Sequence, residues 1–515
     1  MTNTALARVG FAAFLSITFF IGVLIPKPSH GEPAPAESFL SRFKKSPRAA
    51  MNESPRKIGA INQDFLQEKT NACRRSRSRQ MILEQYARES LLIDKKSKIA
   101  KHPSSAIKMA GVGNENPKIF LESSAVIQSI YEMDKTMRSA TSEIVPWSGD
   151  YWAIRSGGAA KRYKDPEFKK VSFEWQTAFD YITQFPALSI DKSLYSPAEK
   201  YDFIVRDQTF SLTAAGWNEG KAYNDEFGSV EGWMGLCHGW APASFMEPRP
   251  THKFTAQSLN DENETIEFFP DDVKALLTLK WAKGVLVTQD FLKSGTRFIG
   301  GRCDVTNPEQ DPETGRIIDP KCFDLNPGSW HMVVTNHLAT EKRPLIIDAA
   351  FDYEVWNQPV VKYSYSYFNP KTMTSTGEIS EAIVLINDPE FKDTFTKFRK
   401  NPKAVSVVGI IMDVTYTIES VPHGYDTDDE THDFVRTVQY HYDLELDANG
   451  KVVGGEWYNK SHPDFVWMPI KEAIAVNQED LHVRSNLDAI ETAPSASKQN
   501  VPLRWVLDYL KSNRE

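Results

Sequence analysis

Residues Glu231-Gly232-Trp233-Met234-Gly235-Leu236-Cys237-His238-Gly239-Trp240-Ala241-Pro242-Ala243-Ser244 decide how the rest of the chain is read. A glycine-punctuated loop runs into one cysteine, and a small-residue segment able to start a helix follows. Pro242 has no N–H and is tolerated only in the first turn, so the helix is expected to begin close to Cys237, near His238 or Gly239. The sulfur then stands at the positive end of the helix dipole, where the thiolate, the nucleophilic form, is stabilised. The Cys237 N–H is placed to help hold an oxyanion. A lone cysteine is more often a small buried hydrophobe. This loop-to-helix start, however, is the arrangement cysteine hydrolases and acyltransferases use, and it makes Cys237 the candidate nucleophile.

A thiolate nucleophile needs a histidine and a group that orients it. Of 11 histidines, His331 is the best placed, opening an expected strand His331–Leu338. A second strand, Pro344–Ala350, follows a short turn. In an antiparallel hairpin Asp348 lands opposite or diagonal to His331. His337 is the rival base but lies roughly 20 Å further along the strand. His238, beside the cysteine, reads as structural. Trp233 could give its indole N–H to the oxyanion, although core packing is its commoner role. Cys237, His238, His331 and His337 are zinc-type ligands without zinc spacing. Asp426–Asp433 and Asp304–Glu313 are acidic but lack the EF-hand pattern, and solvated loops are their default reading. No metal ligand is assigned.

Outward from this centre, the 515 residues amount to about three domains' worth of chain, with 41% hydrophobic residues, as in a globular protein. The net charge of −8 argues against nucleic acid as a partner. Residues 41–100 hold 15 Lys/Arg against 6 Asp/Glu, a basic front before an acidic body. The apolar run Val9–Ile25 after Arg8 reads as a signal peptide ending near Gly31 or Ala36, short for a membrane span. Export to a secreted, periplasmic or cell-surface site follows, with membrane attachment only if the segment stays uncleaved. Residues 1–36 are thus a signal peptide. Residues 37–140 are a basic, partly helical linker or a pro-segment docking by charge, and a main domain spans 141–480. A tail with a short helix fills 481–515. Cys303 and Cys322 flank one loop and form the natural disulfide. Cys73 is left to pair with Cys237 or stay free, and such a bond could keep the sulfur latent. Helical patterns at Phe173–Phe185 and Asp271–Leu292 precede strand patterns at Val405–Tyr416 and Phe434–Leu446. The Asn449-Gly450 turn then leads into Val452–Trp457. Helices first and a C-terminal antiparallel β region later make an α+β fold.

The cysteine block, Ser196-Pro197-Ala198-Glu199-Lys200-Tyr201-Asp202 and Val355-Trp356-Asn357-Gln358-Pro359-Val360 together resemble the transglutaminase elicitors of oomycete cell walls and their bacterial relatives. The last block matches the first half of the surface peptide plants sense in oomycete members. Here it continues Val361-Lys362-Tyr363-Ser364, away from the Arg-Gly-Phe-Lys of that peptide, so a role in folding or in the site is expected. The resemblance covers about residues 145–480. It implies a papain-like, transglutaminase-like cysteine acyltransferase core and protein-glutamine γ-glutamyltransferase activity. The partners implied are proteins bearing glutamine and lysine. It also implies Cys237 as nucleophile, with His331 and Asp348 resembling the family's hairpin pair, and a calcium dependence; the sequence itself requires no cofactor. Trp233, Trp240 and Trp356 are the aromatic candidates for a desolvated acceptor site. A cysteine peptidase or amidase using the same three residues, and a non-catalytic surface protein, are the alternative readings.

Overall fold

An 11-stranded antiparallel sheet organises the C-terminal half of the chain. The computed structural model describes residues 37–58, 117–120, 126–259, 261–289, 293–301, 307–319, 322, 325–349, 354–477, 480, 493–494 and 496–512. The expected signal peptide lies outside the described residues, as do Cys73 and Cys303 with their pairings. The strands that matter are β1 (Arg56–Ile58), β2 (Thr296–Gly300), β3 (Leu345–Asp348), β4 (Asn357–Asn369), β5 (Ser406–Ile418), β6 (Phe434–Leu446), β7 (Val452–Trp457) and β8 (Phe465–Pro469). They run in the order β1-β6-β5-β4-β3-β8-β2, with β7 also on β6. Strands β5 and β6 are rich in β-branched and aromatic residues, which suit a pleated, half-buried surface. Their register pairs Ile410 with Tyr442 and Met412 with Tyr440.

Alternation along each strand sends neighbouring side chains to opposite faces. Ile346 and Phe465 join one core, while Leu345, Ile347, Val466, Tyr363, Tyr365 and Tyr442 join the other. The first face receives most of the helices: α1 (Phe39–Lys45) lies apart, whereas α2 (Trp175–Gln184), α3 (Pro197–Ile204), α4 (Ser211–Phe227), α5 (Cys237–Met246) and α6 (Pro270–Lys283) contribute to that core. The second face receives α7 (Pro327–Asn336), and α8 (Arg504–Ser512) closes the first. Among the described residues no helix is long and apolar enough to cross a membrane.

One expectation fails here. Residues 331–338 are expected as a strand, and Val333, Val334 and Thr335 have the β-branched side chains that suit one. They instead belong to α7 and a π-helical turn, His337–Glu341. Asn326 caps α7 by accepting the Gly328 N–H at 2.8 Å, and Pro327 occupies the first turn. Those start signals, with a fully buried site, outweigh a few tenths of a kcal/mol of propensity per residue. The hairpin that was to pair His331 with Asp348 is therefore not formed; Asp348 faces Asn357 across β3 and β4.

The Ser196–Asp202 block is a stitching point. Ser196 and Glu199 form a reciprocal capping box on α3. Glu199 also takes Arg162 at 2.6 Å, and Lys200 reaches Asp272 of α6 at 2.6 Å, all four groups buried. Asp202 accepts the Leu212 and Thr213 N–H groups at the start of α4. Tyr201 accepts the N–H of Leu503, just ahead of α8.

Within the front segment, residues 39–58 are built into the body. Phe39 packs on His441 at 4.3 Å and Phe43 on Tyr458 at 4.5 Å between ring centroids. Strand β1 pairs with β6, Arg56 opposite Gln439. Residues 39–58 thus dock through apolar rings and backbone pairing, with Lys44 and Arg48 donating to the Thr372 and Pro312 carbonyls at 3.2 and 3.1 Å. Further on, Ser139–Thr141 adds to β4.

Helices α5 and α6 touch at Gly239. A methyl group there would sit 2.2 Å from the Thr278 carbonyl oxygen and 2.6 Å from the Ala282 Cβ. Gly239→Ala would gain about 1 kcal/mol of helix propensity, but backbone cannot yield cheaply and overpacking costs about 1–3 kcal/mol. A net loss of up to roughly 2 kcal/mol is expected in urea melts. An unchanged or higher midpoint would show that the two helices are not held this closely.

Candidate active site

Helix α5 begins at Cys237, as the sequence predicts, with Leu236 as its N-cap. Pro242 is not in the first turn but within the helix, at its sixth residue. The helix start is fixed instead by the loop before it. The Leu236 N–H donates to the Tyr151 carbonyl at 2.6 Å, and Gly235 lies so close to Tyr151 that a Cβ would stand 2.6 Å from that same oxygen.

Cys237 is a free, buried thiol. Its sulfur lies 3.6 Å from the Val355 carbonyl oxygen and 3.5 Å from Asn357 Nδ2, which donates to it. Asn357 Oδ1 in turn accepts the Trp467 indole N–H at 2.7 Å, which fixes the amide so that its NH2 faces the sulfur. Asp348 accepts the Trp356 N–H at 2.9 Å, and the Ala349 N–H donates to the Trp356 carbonyl at 2.9 Å. Together these bonds hold residues 354–357 against the helix mouth. Asp348 and Asn357 are cross-strand partners and share the sheet face of Ile346, on which α5 packs.

His331 is not brought to this place. Its helix packs on the opposite face, where the ring meets Tyr365 at 4.9 Å between centroids and Nδ1 meets the Tyr442 hydroxyl at 2.8 Å. Tyr365 is eight residues along β4 from Asn357, roughly 26 Å at about 3.3 Å per residue. Burial pushes the His331 imidazole down to about 3, so it is a neutral core ring. His337, the rival, is also buried on that side, Nε2 3.4 Å from the Pro344 carbonyl, and burial pushes it down to about 4. The expected Cys237–His331–Asp348 grouping is thus reduced to Cys237 and Asp348, linked through the Trp356–Asn357 segment.

The three tryptophans have protein acceptors for their indoles. Trp233 donates to Glu231, Trp240 to the Trp147 carbonyl at 3.2 Å, and Trp356 to Glu354 at 3.0 Å. As described, none presents its N–H to an oxyanion at the sulfur; Trp240 is a core residue of α5. Asn357 is the residue the sequence reading missed as a site member. The available signal was an Asn-Gln pair inside an otherwise apolar strand start. Val355, Asn357, Gln358 and Val360 are all buried, so the hexapeptide serves the fold and the sulfur rather than the surface.

In the acidic stretch at 426–433 the carboxylates are engaged by neighbouring groups. Asp426 pairs with Lys253, Asp428 with Lys274 and Arg249, and Asp433 with Arg249, while Asp429 accepts the Thr431 N–H. In the second acidic stretch, Asp311 is likewise engaged by Thr314 and Lys397.

A buried thiol at the mouth of a helix, set against the strand ends of an antiparallel sheet, defines a thiol-centred α+β protein. The chain belongs to the transglutaminase elicitor family, whose profile matches residues 121–481. It is transglutaminase-like in this sense. Among solved structures it is similar to the GP42 transglutaminase from Phytophthora sojae. That likeness has 19% identity over 74% of this chain and 96% of the other, with a TM-score of 0.47. No curated protein matches the chain.

Proposed function

We propose that this protein is a protein-glutamine γ-glutamyltransferase in which Cys237 forms the acyl-thioester. The observation that supports this most is the Asn357 amide donating to a buried, free sulfur at the start of α5. A donor at that sulfur and the helix dipole both favour the thiolate. In the first half-reaction the sulfur bonds to the side-chain carbonyl carbon of a glutamine. The carbon–nitrogen bond breaks, and the thiol proton ends on ammonia. A lysine amine then displaces the sulfur and leaves an isopeptide bond; water in its place would give deamidation. The half-buried rings of Trp356 and Tyr151, 5.4 Å apart, are the surface a lysine side chain would cover, and water displaced there favours the amine. Asp348 is a positioning residue acting through Trp356, and His331 has no part in the step because its helix lies across the sheet.

The reading includes export by way of the first 36 residues, a Cys303–Cys322 disulfide, and glutamine- and lysine-bearing proteins as partners. The test is incubation with a glutamine peptide and a labelled primary amine. Amine incorporation supports the transferase, while backbone cleavage would instead indicate a peptidase. Within this reaction Asn357→Ala is expected to lower kcat about 10–100-fold, in keeping with the ~1.5–3 kcal/mol of a hydrogen bond to a charged group. A rate equal to that of the unaltered protein would remove Asn357 from the site.

A further inference from the structure

The stretch 419–433, which connects β5 to β6, brings two imidazoles and one carboxylate together away from Cys237. His423, Asp428 and His432 each offer a ligand atom, and these atoms lie within 4.8 Å of one another. Asp428 is 2% exposed, and its Oδ1 has no hydrogen-bond partner among the described residues. The buried His432 Nδ1 has none either. The two atoms stand 3.4 Å apart, beyond a good N–H···O bond. That is the separation two ligands take around one tetrahedral ion with bonds of about 2.0–2.1 Å, roughly 3.4 Å.

The surroundings fit a ligand set. Lys274 and Arg249 both hold Asp428 through Oδ2, at 2.9 Å each, and so leave Oδ1 for an ion while fixing the carboxylate plane. Asp271 accepts the His423 and Gly424 N–H groups, at 2.8 and 3.2 Å, and its Oδ2 lies 3.4 Å from His423 Nδ1. It anchors the backbone that carries that ring. The Tyr425 ring stacks on His423 at 4.0 Å, and its N–H donates to His423 Nδ1 at 3.2 Å, a bond that coordination would release. The charges of Lys274 and Arg249 oppose a dication, and those of Asp428, Asp271 and Asp433 offset them.

We propose that His423, Asp428 and His432 form a site for a divalent transition ion of the zinc type. Two nitrogen donors and one oxygen favour zinc over calcium, which takes oxygen cages. The site ties the connection between β5 and β6 to α6, which carries Asp271 and Lys274 and packs on α5 at Gly239. The ion would act as a brace for the helix pair and takes no part in the thiol chemistry.

The full chain, stripped with a chelator, is titrated with zinc chloride alone and followed by calorimetry, by metal content after desalting and by thermal melting. One equivalent bound with a raised melting temperature is expected. Cys237→Ala should retain both effects, and the double variant His423→Gln/His432→Gln should lose both. Should the double variant fail to give a cooperative melt, His432→Gln alone, at the more exposed ring, serves in its place with the same expected loss. No equivalent bound by the unaltered chain overturns the proposal. So does undiminished binding in the histidine variants, loss of binding in Cys237→Ala, or a calcium-induced shift lost in the histidine variants.

Discussion

Cys237→Ala is expected to abolish incorporation of a labelled amine into a glutamine peptide, a fall of about 10^3-fold or more, as for loss of a covalent nucleophile. The fold should survive. The site around the sulfur is held by bonds that do not involve it: Trp467 to Asn357, Trp356 to Asp348, and Leu236 to Tyr151. The informative comparison is therefore activity at constant melting temperature. Mass spectrometry of the unaltered protein, quenched during turnover, should show an acyl adduct on the peptide carrying Cys237 and none in the variant. Amine incorporation at the normal rate by Cys237→Ala would remove the thioester from the mechanism altogether.

Arg399→Ala is expected to be the most damaging change to stability, at about 3–5 kcal/mol, the range for removing one partner of a buried ionic cluster. The guanidinium is 4% exposed and faces Asp393 and Asp443 at 2.6 Å and Glu445 at 3.2 Å. Without it three buried carboxylates would be uncompensated. Even with it, burial pushes Glu445 up to about 7 and Asp443 above its ordinary range. A carboxyl whose folded value exceeds its unfolded value of about 4.5 binds more protons in the folded state between the two. Stability from that group then falls as pH rises through the window, by about 1.4 kcal/mol per pH unit and proton. Loss of the arginine deepens this, so the deficit of Arg399→Ala should be larger at pH 8 than at pH 5. Urea melts at the two pH values check it; equal deficits would show that the carboxylates find other partners.

What the sequence made legible was set by local signals. The loop-to-helix start at Cys237, the Asn449-Gly450 turn and the long strands Ser406–Ile418 and Phe434–Leu446 each carry their own instructions in cap, turn or β-branched residues. The strand expected at His331 passed over the Asn326-Pro327 start signal, which points to a helix. One misread element then moved a histidine to the wrong side of the sheet. Asn357 could not be reached in this way, because its meeting with Cys237 joins residues 120 positions apart. The docking of Phe39 and Phe43 is of the same kind; charge dominated the reading of a segment whose few aromatic residues fix its position.

The clasp of β1 and α1 on the sheet has a consequence for maturation. The arginine-rich run Cys73–Arg79 is a natural target for trypsin-like proteases. A cut there would not release what precedes it, since Arg56–Ile58 is paired into the sheet and Phe39 and Phe43 are anchored in aromatic neighbours. The product would be a nicked, two-chain molecule that migrates as two bands on a denaturing gel and as one particle in solution.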